Sequence, residues 1–293
     1  DRVLFEGELE IETNADGETE IAAEYATIDL MLNDYMALVA GKFLSPIGQF
    51  RQNIHPSWIN KLPTAPVGFG HGGAAPLSDL GVQLRGGIPL SGSMRANYAL
   101  FTSNGPTLLV DGHGDEVELE METEAASSNA DGNFVYGGRI GFLPVPALEL
   151  GLSGALGKVG VAEGHAVSEL AAGEPDRDYT VLGADAVYNL DTLQLRGEFI
   201  QQTVGSEAGS TIADGEVTGE LDFTAWYAQA AYRLPDTKWE GVARIGDLDT
   251  PNADGNRSQW SVGVNYLFAN NVIIKAAYTV DDYDDNAIDD DER

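Results

Sequence analysis

The segment 47–76, IGQFRQNIHPSWINKLPTAPVGFGHGGAAP, carries Arg51, His55, Trp58, Lys61 and His71 and no acid; the next carboxylate is Asp79. The rest of the chain is the opposite, with 16 Lys and Arg against 47 Asp and Glu and a formal charge of −31. Cations and an indole on a Pro- and Gly-rich loop have two readings. The loop folds into the interior of the molecule, narrows it and sets positive charge there; or it packs over one end or against a neighbouring subunit. A second charged set emerges when the chain is read at period 2. Lys42, Arg85, Arg95, Arg139, Arg196, Arg233, Arg244 and Lys275 then share one face with Glu6, Glu8, Glu10, Asp29, Glu149, Asp185, Glu198 and Glu240. Opposed charges across a lumen orient dipolar solutes, and rings of one sign set ion preference. The plainer role is ion pairing between neighbouring strands.

Enzyme chemistry finds no foothold. No G-x-S-x-G, H-E-x-x-H, P-loop or dinucleotide fingerprint is present. His55, His71, His113 and His165 have no metal-ligand spacing, and the chain has no Cys for thiolate sites or disulfides. The acidic tracts DGHGDE (111–116) and DDYDDN (281–286) offer oxygen ligands for Ca2+ but lack the twelve-residue EF-hand pattern, so solvated tracts are the simpler expectation. At this charge nucleic acid is repelled as a partner.

The elements that must position these residues are strands. Period-2 alternation gives about 13 candidates, near 3–13, 20–33, 35–46, 78–90, 93–104, 133–144, 148–160, 178–190, 193–204, 222–234, 238–248, 258–269 and 271–282. Two short stretches, 55–62 and 166–172, have helical character. The connections alternate strictly. Short turns at 33–34, 89–92, 144–147, 189–192, 234–237 and 269–271 interleave with long polar loops at 14–18, 47–76, 105–132, 161–177, 205–221 and 249–257. All short turns therefore lie at one end of an antiparallel set, as in transmembrane barrels; Greek-key sandwiches scramble that order. No run of 18 apolar residues is present, but a spanning strand needs only about 9–11 alternating ones.

Large apolar residues fill the other face. Aromatics cluster at both strand ends of that face: Tyr188, Tyr232, Trp239, Tyr266 and Phe268 beside short turns, and Trp226, Trp260, Tyr278 and Tyr179 at the far ends. Two such rows flanking an aliphatic band are interfacial girdles. The face bearing the charges is then a wet lumen. The segment 115–125 also alternates and reads as a hairpin extension above the membrane. The acidic segments 105–132 and 281–293 read as extracellular, since they cannot sit at bilayer depth.

GKFLSPIGQF (41–50), SDLGVQLRGGIPL (78–90) and RANYALFTSNGP (95–106) resemble the framework of Gram-negative outer-membrane porins, most closely the phosphate-selective porin O/P-like group. The resemblance implies a trimeric, water-filled channel, in some members with a basic constriction. Here the loops are acidic, so phosphate selectivity is not carried over.

The expectation is one all-β domain over 1–293, an up-and-down barrel of about 14 strands, or 16 if 115–125 spans, with the last strand lying outside the given chain. DRVLFEGELE shows no signal-peptide pattern, which reads as a mature or trimmed chain. The expected role is passive diffusion of small hydrophilic solutes or ions across the bacterial outer membrane, without cofactor or catalysis. The expected partners are the lipid bilayer, lipopolysaccharide and further copies of the chain. Two alternatives stay open: a non-channel barrel scaffolding an envelope partner, and a soluble acidic β-protein.

Overall fold

A computed structural model describes residues 2–13, 19–56, 58–113, 116–124, 129–164, 170–209, 218–252, 255–269 and 272–283. The strands run β1 (Val3–Thr13), β2 (Thr19–Asn33), β3 (Met36–Leu44), β4 (Ser78–Pro89), β5 (Arg95–Ser103), β6 (Thr107–His113), β7 (Glu116–Glu122), β8 (Val135–Val145), β9 (Leu148–Glu163), β10 (Arg177–Asn189), β11 (Leu193–Val204), β12 (Leu221–Arg233), β13 (Trp239–Asp249), β14 (Arg257–Ala269) and β15 (Val272–Tyr283). Of these 15, all but β6 and β7 form one antiparallel wall of 13 in chain order, with β5 beside β8. The wall strands are those of the period-2 reading. No pairing between β1 and β15 occurs among the described residues, so the sheet is not closed. Among the described residues no helix is long and apolar enough to cross a membrane, which says nothing of strands.

The short turns are built locally. At LPDT, Asp236 takes a left-handed φ of 58° while the Leu234 N–H donates to Trp239 O at 3.0 Å, closing β12 onto β13. Asp tolerates that conformation better than most residues.

Orientation follows the expected parity. Ile140, Leu152, Leu156, Leu182, Ile245 and Tyr278 point outward and are exposed. Arg139, Asp185, Arg196, Glu198, Gln229, Glu240 and Arg244 point inward and are buried. A soluble sandwich would bury the first set and expose the second.

Four expectations need correction. Inward positions toward the long loops are apolar, not wet: Phe43, Phe101, Val135, Val159, Val181, Ile200, Val204 and Phe223 form one buried cluster with Phe50, Phe69 and Ala75 of segment 47–76. Alternation hid them because both faces are apolar there. Tyr179 belongs to this cluster; its hydroxyl donates to Gln202 Oε1 inside the barrel, and it takes no part in an outer aromatic row. The hairpin at 115–125 is larger and does not stand clear of the wall. It comprises β6 and β7, pairs parallel with the end of β9 (Thr107↔Gly160 to Val110↔Glu163), and buries Leu108, Val110, Leu119 and Met121 in the same cluster. It adds no wall strand, so the 16-strand alternative fails. Finally, 55–62 is not helical; a single π-helical turn occurs just before it, at Phe50–Ile54. Residues 166–169, the side chain of His113, His165 and the tail 284–293 lie outside the described set, as do parts of both acidic tracts.

Candidate functional site: a loop across the lumen

Segment 47–76 leaves the wall at β3, crosses the barrel interior and returns at β4, held by side chains of the opposite wall. The crossing starts at Gly48, whose N–H donates to Ser153 Oγ of β9 at 3.1 Å. The next two N–H groups, of Gln49 and Phe50, donate to the two oxygens of Glu198 on β11, both at 3.1 Å. Gly48 has φ +72°, and a Cβ there would lie 1.6 Å from Glu198 Oε1, so only glycine fits this approach.

From that anchor the chain turns back toward β1 and β2. Arg51 pairs with Glu24, both nearly buried. His55 Nδ1 donates to Arg51 O at 2.6 Å, which leaves Nε2 facing Glu8 Oε2 at 3.9 Å. Burial, with the Arg51 guanidinium adding to it, holds His55 below its ordinary range. The segment then reaches β13–β15. Lys61 Nζ meets Glu240 Oε2 at 2.9 Å, and Lys61 O accepts from Asn265 at 2.9 Å. Lys275 donates to Asn60 O, and Arg244 donates to Thr64 O and Ala65 O at 2.9 and 2.8 Å. Phe69 closes the crossing edge-on against Tyr227 of β12, with ring centroids 5.0 Å apart.

Between this loop and the short turns lies a cavity of about 510 Å3. Its wall includes Asn33, Tyr35, Arg85, Asn97, Arg139 and Glu149, and its roof Gln49, Gln52 and Asn53. The two arginines are neutralised where they stand. Arg85 pairs with Asp29 and, at 3.3 Å, with Glu6. Arg139 bonds both oxygens of Asp185, at 2.6 and 2.8 Å, and Glu149 at 3.0 Å. Gly151 makes room for this network, since a Cβ there would lie 2.4 Å from Arg139 Nη2. Lys42 pairs with Glu124 just beyond β7.

Most of the charged residues read from alternation thus meet around the loop: Lys42, Arg85, Arg139, Arg196, Arg244, Lys275, Glu6, Glu8, Asp29, Asp185, Glu198 and Glu240. Arg95 and Arg233 share the inward parity but sit exposed at the short-turn rim, outside the network. Trp58, expected on the same loop, is 66% exposed. Tyr188, Tyr232, Trp239, Trp226, Trp260 and Tyr278 are all exposed on the outer face, with Tyr266 half-exposed beside Trp239 at 4.7 Å. Two residues escaped the sequence reading. Ser153 is a serine on a glycine-rich strand with no distinguishing signal. Glu24 falls at a bulge, where Glu8 pairs with Tyr25 and Leu9 with Ala23; the extra residue turns inward against the alternation.

Residues 162–293, from the end of β9 through β15, match the family model for phosphate-selective porin O and P. Solved structures share the fold. The outer-membrane channel DcaP of Acinetobacter baumannii has 11% identity and a TM-score of 0.56, covering 95% of this chain and 74% of that one. An anion-selective porin from Comamonas acidovorans has 14% identity and a TM-score of 0.54, covering 95% and 89%. The second part of this chain thus matches a porin family, and the whole chain has the fold of outer-membrane porins. OmpT of Vibrio cholerae, solved in a trimer form, is similar at 11% identity and a TM-score of 0.55, covering 98% and 80%. No curated protein matches this chain. Fold and family point to a channel rather than an enzyme. The family match includes the anchors Glu198, Glu240, Arg244 and Lys275 but not the crossing loop itself.

Proposed function

We propose that this porin passes small hydrophilic solutes and ions by passive diffusion, with loop 47–76 setting the narrowest section of the path. The observation that carries this reading is the fastening of one backbone segment on both sides of the lumen: beside its root to Glu24 on β2, and across the lumen to Glu198 on β11 and to Glu240 and Arg244 on β13. A segment held from both sides fixes an aperture; a segment held from one side would swing.

Ion preference follows from pairing. Arg51, Lys61, Arg85 and Arg139 each face a carboxylate, so they offer little net positive charge to a passing anion. The long-loop mouth is acidic and raises the local cation concentration. The porin is therefore weakly cation-preferring, unlike its phosphate-selective relatives. The outward aromatic rows sit at the two membrane interfaces, with lipopolysaccharide around the long-loop end, and the assembly is a homotrimer. That last point rests on the family resemblance and on the trimer form of the V. cholerae protein.

The test is conductance of the purified porin in planar bilayers under a KCl gradient. Stepwise conductance with a reversal potential of cation sign is expected. Absence of steps defeats the channel reading, and a reversal potential of anion sign defeats the ion preference.

A further inference from the structure

The cavity between the loop and the short turns carries more acid than base. Arg85 is matched by Asp29, which is wholly buried, and Arg139 by Asp185, which it grips through both oxygens. The second carboxylates on these arginines, Glu6 and Glu149, are therefore surplus. Glu149 lines the cavity, and its bonds are one-sided: Oε1 accepts from Asn97 at 2.9 Å and from Arg139 at 3.0 Å, while Oε2 accepts from no described residue. Asp34, exposed at the β2–β3 turn, lines the same cavity and has no side-chain partner among the described residues. The roof adds neutral acceptors. Gln49 is 6% exposed, yet its side-chain amide bonds to no described residue and opens onto the cavity. Gln52 donates to Gln83 Oε1 at 3.2 Å, which leaves its own carbonyl oxygen free. Met31, Ala37 and Ala99 add an apolar stretch of wall.

We propose that this cavity binds small organic ammonium ions with an alkyl body, such as a short diamine. The proposal rests on the channel reading and names a class of solute that the channel takes up. A primary ammonium has three N–H donors and no acceptor, so it suits a lining whose free groups are a surplus carboxylate and amide oxygens. Its alkyl body suits the stretch at Met31, Ala37 and Ala99. Two acids at separate places, Glu149 on β9 and Asp34 at the β2–β3 turn, suit two ammonium groups on one chain. A bare metal ion fits less well. The acceptors are spread around about 510 Å3, and among the described residues no group of three or more His or acidic side chains could hold a metal. An anion meets surplus negative charge, and a neutral polyol gains nothing from it.

The test is block of the current by butanediamine in planar-bilayer recordings, with butanediol and succinate as neutral and anionic compounds of the same chain length. Butanediamine is expected to interrupt the current at a frequency that rises with its concentration, and the other two are not. Glu149→Gln is expected to raise the half-blocking concentration about tenfold, through loss of a charged hydrogen-bond acceptor. Asp34→Asn is expected to raise it about two- to fivefold, through loss of an exposed charge. Titration calorimetry on the detergent-solubilised wild type makes the same comparison without conduction, so failure of the channel and failure of the site are told apart. Absence of conductance steps beside a clear heat of butanediamine binding defeats the channel and supports the site. Absence of that heat overturns the proposal whether or not the protein conducts, and so does a conducting channel that butanediamine leaves uninterrupted. Butanediol or succinate acting as strongly as butanediamine overturns it as well.

Discussion

Glu198→Gln tests the idea that wall groups hold the loop. The carboxylate accepts two N–H bonds, from Gln49 and Phe50, one on each oxygen. An amide keeps one acceptor and turns an NH2 toward the second N–H, so one bond is lost and two donors are set face to face. A hydrogen bond to a charged group is worth about 1.5–3 kcal/mol, and a stranded buried donor costs about 1–3 kcal/mol. Allowing for relaxation, docking of the loop weakens by roughly 2–3 kcal/mol, or about 30- to 150-fold in the undocked population at 1.4 kcal/mol per tenfold. Single-channel recording reads this directly. Glu198→Gln is expected to show brief excursions to a higher conductance at least tenfold more often than wild type. Gly48→Ala, which drives a methyl into the same carboxylate, is expected to do the same. Traces from both variants matching wild type in conductance and noise would mean that Glu198 does not hold the aperture.

Three further outcomes are expected. Arg139→Ala leaves Asp185 and Glu149 facing each other at the wall and lowers stability by about 3–5 kcal/mol, read as a fall in the urea midpoint of the folded barrel. Leu152→Arg, at an outward position 71% exposed, costs about 2–4 kcal/mol when the site faces lipid near the bilayer midplane; lower insertion into vesicles with unchanged folding in detergent is the signature. Acidification loosens the loop through His55. Burial, reinforced by Arg51, lowers its pKa against the weaker pull of Glu24 and Glu8, so the folded state binds fewer protons than the unfolded one. Stability is then fully present above about pH 6.5 and falls as the pH drops toward the folded value, and His55→Gln is expected to flatten conductance noise between pH 7 and 5.

The wall was legible in the sequence because the bilayer imposes a strict rule on it. Lipid outside and a polar lumen inside make alternation clean on β11 and β12, and the short turns punctuate it with Pro, Asp and Asn. The rule fails where the surroundings change. At Ile200, Val204 and Phe223 the inner neighbour is a folded loop rather than water, so an apolar residue faces an apolar partner and period 2 carries no information on side. Glu24 was lost to a bulge that breaks the period. The loop's basic character was readable, but not its partners: Arg51 with Glu24 and Lys61 with Glu240 are 27 and 179 residues apart, and pairing at that range is set by the curl of the wall around the loop. Tyr179 illustrates the same limit, since an aromatic at a strand end belongs to an outer row only if its parity is outward.

The loop is fastened in two different ways, and the difference shapes what any single change can do. Toward the short turns it is held by hydrogen bonds and ion pairs, at Glu198, Glu240 and Arg244, with Glu24 gripping Arg51 farther along β2. Toward the long loops it is held by apolar burial, with Phe50, Phe69 and Ala75 packed against Ile200, Phe223 and the hairpin residues Leu108 and Met121. Each large apolar side chain buried there contributes about 1.5–3 kcal/mol, and that contribution is insensitive to salt and pH. Loss of one polar anchor therefore frees the charged half of the loop while the apolar half stays seated, which produces flicker at the aperture. Opening the full lumen requires the apolar cluster to separate, and the hairpin must then move together with the loop, because Leu77 and Ser78 at the loop's end bond to Thr123 at the hairpin's tail.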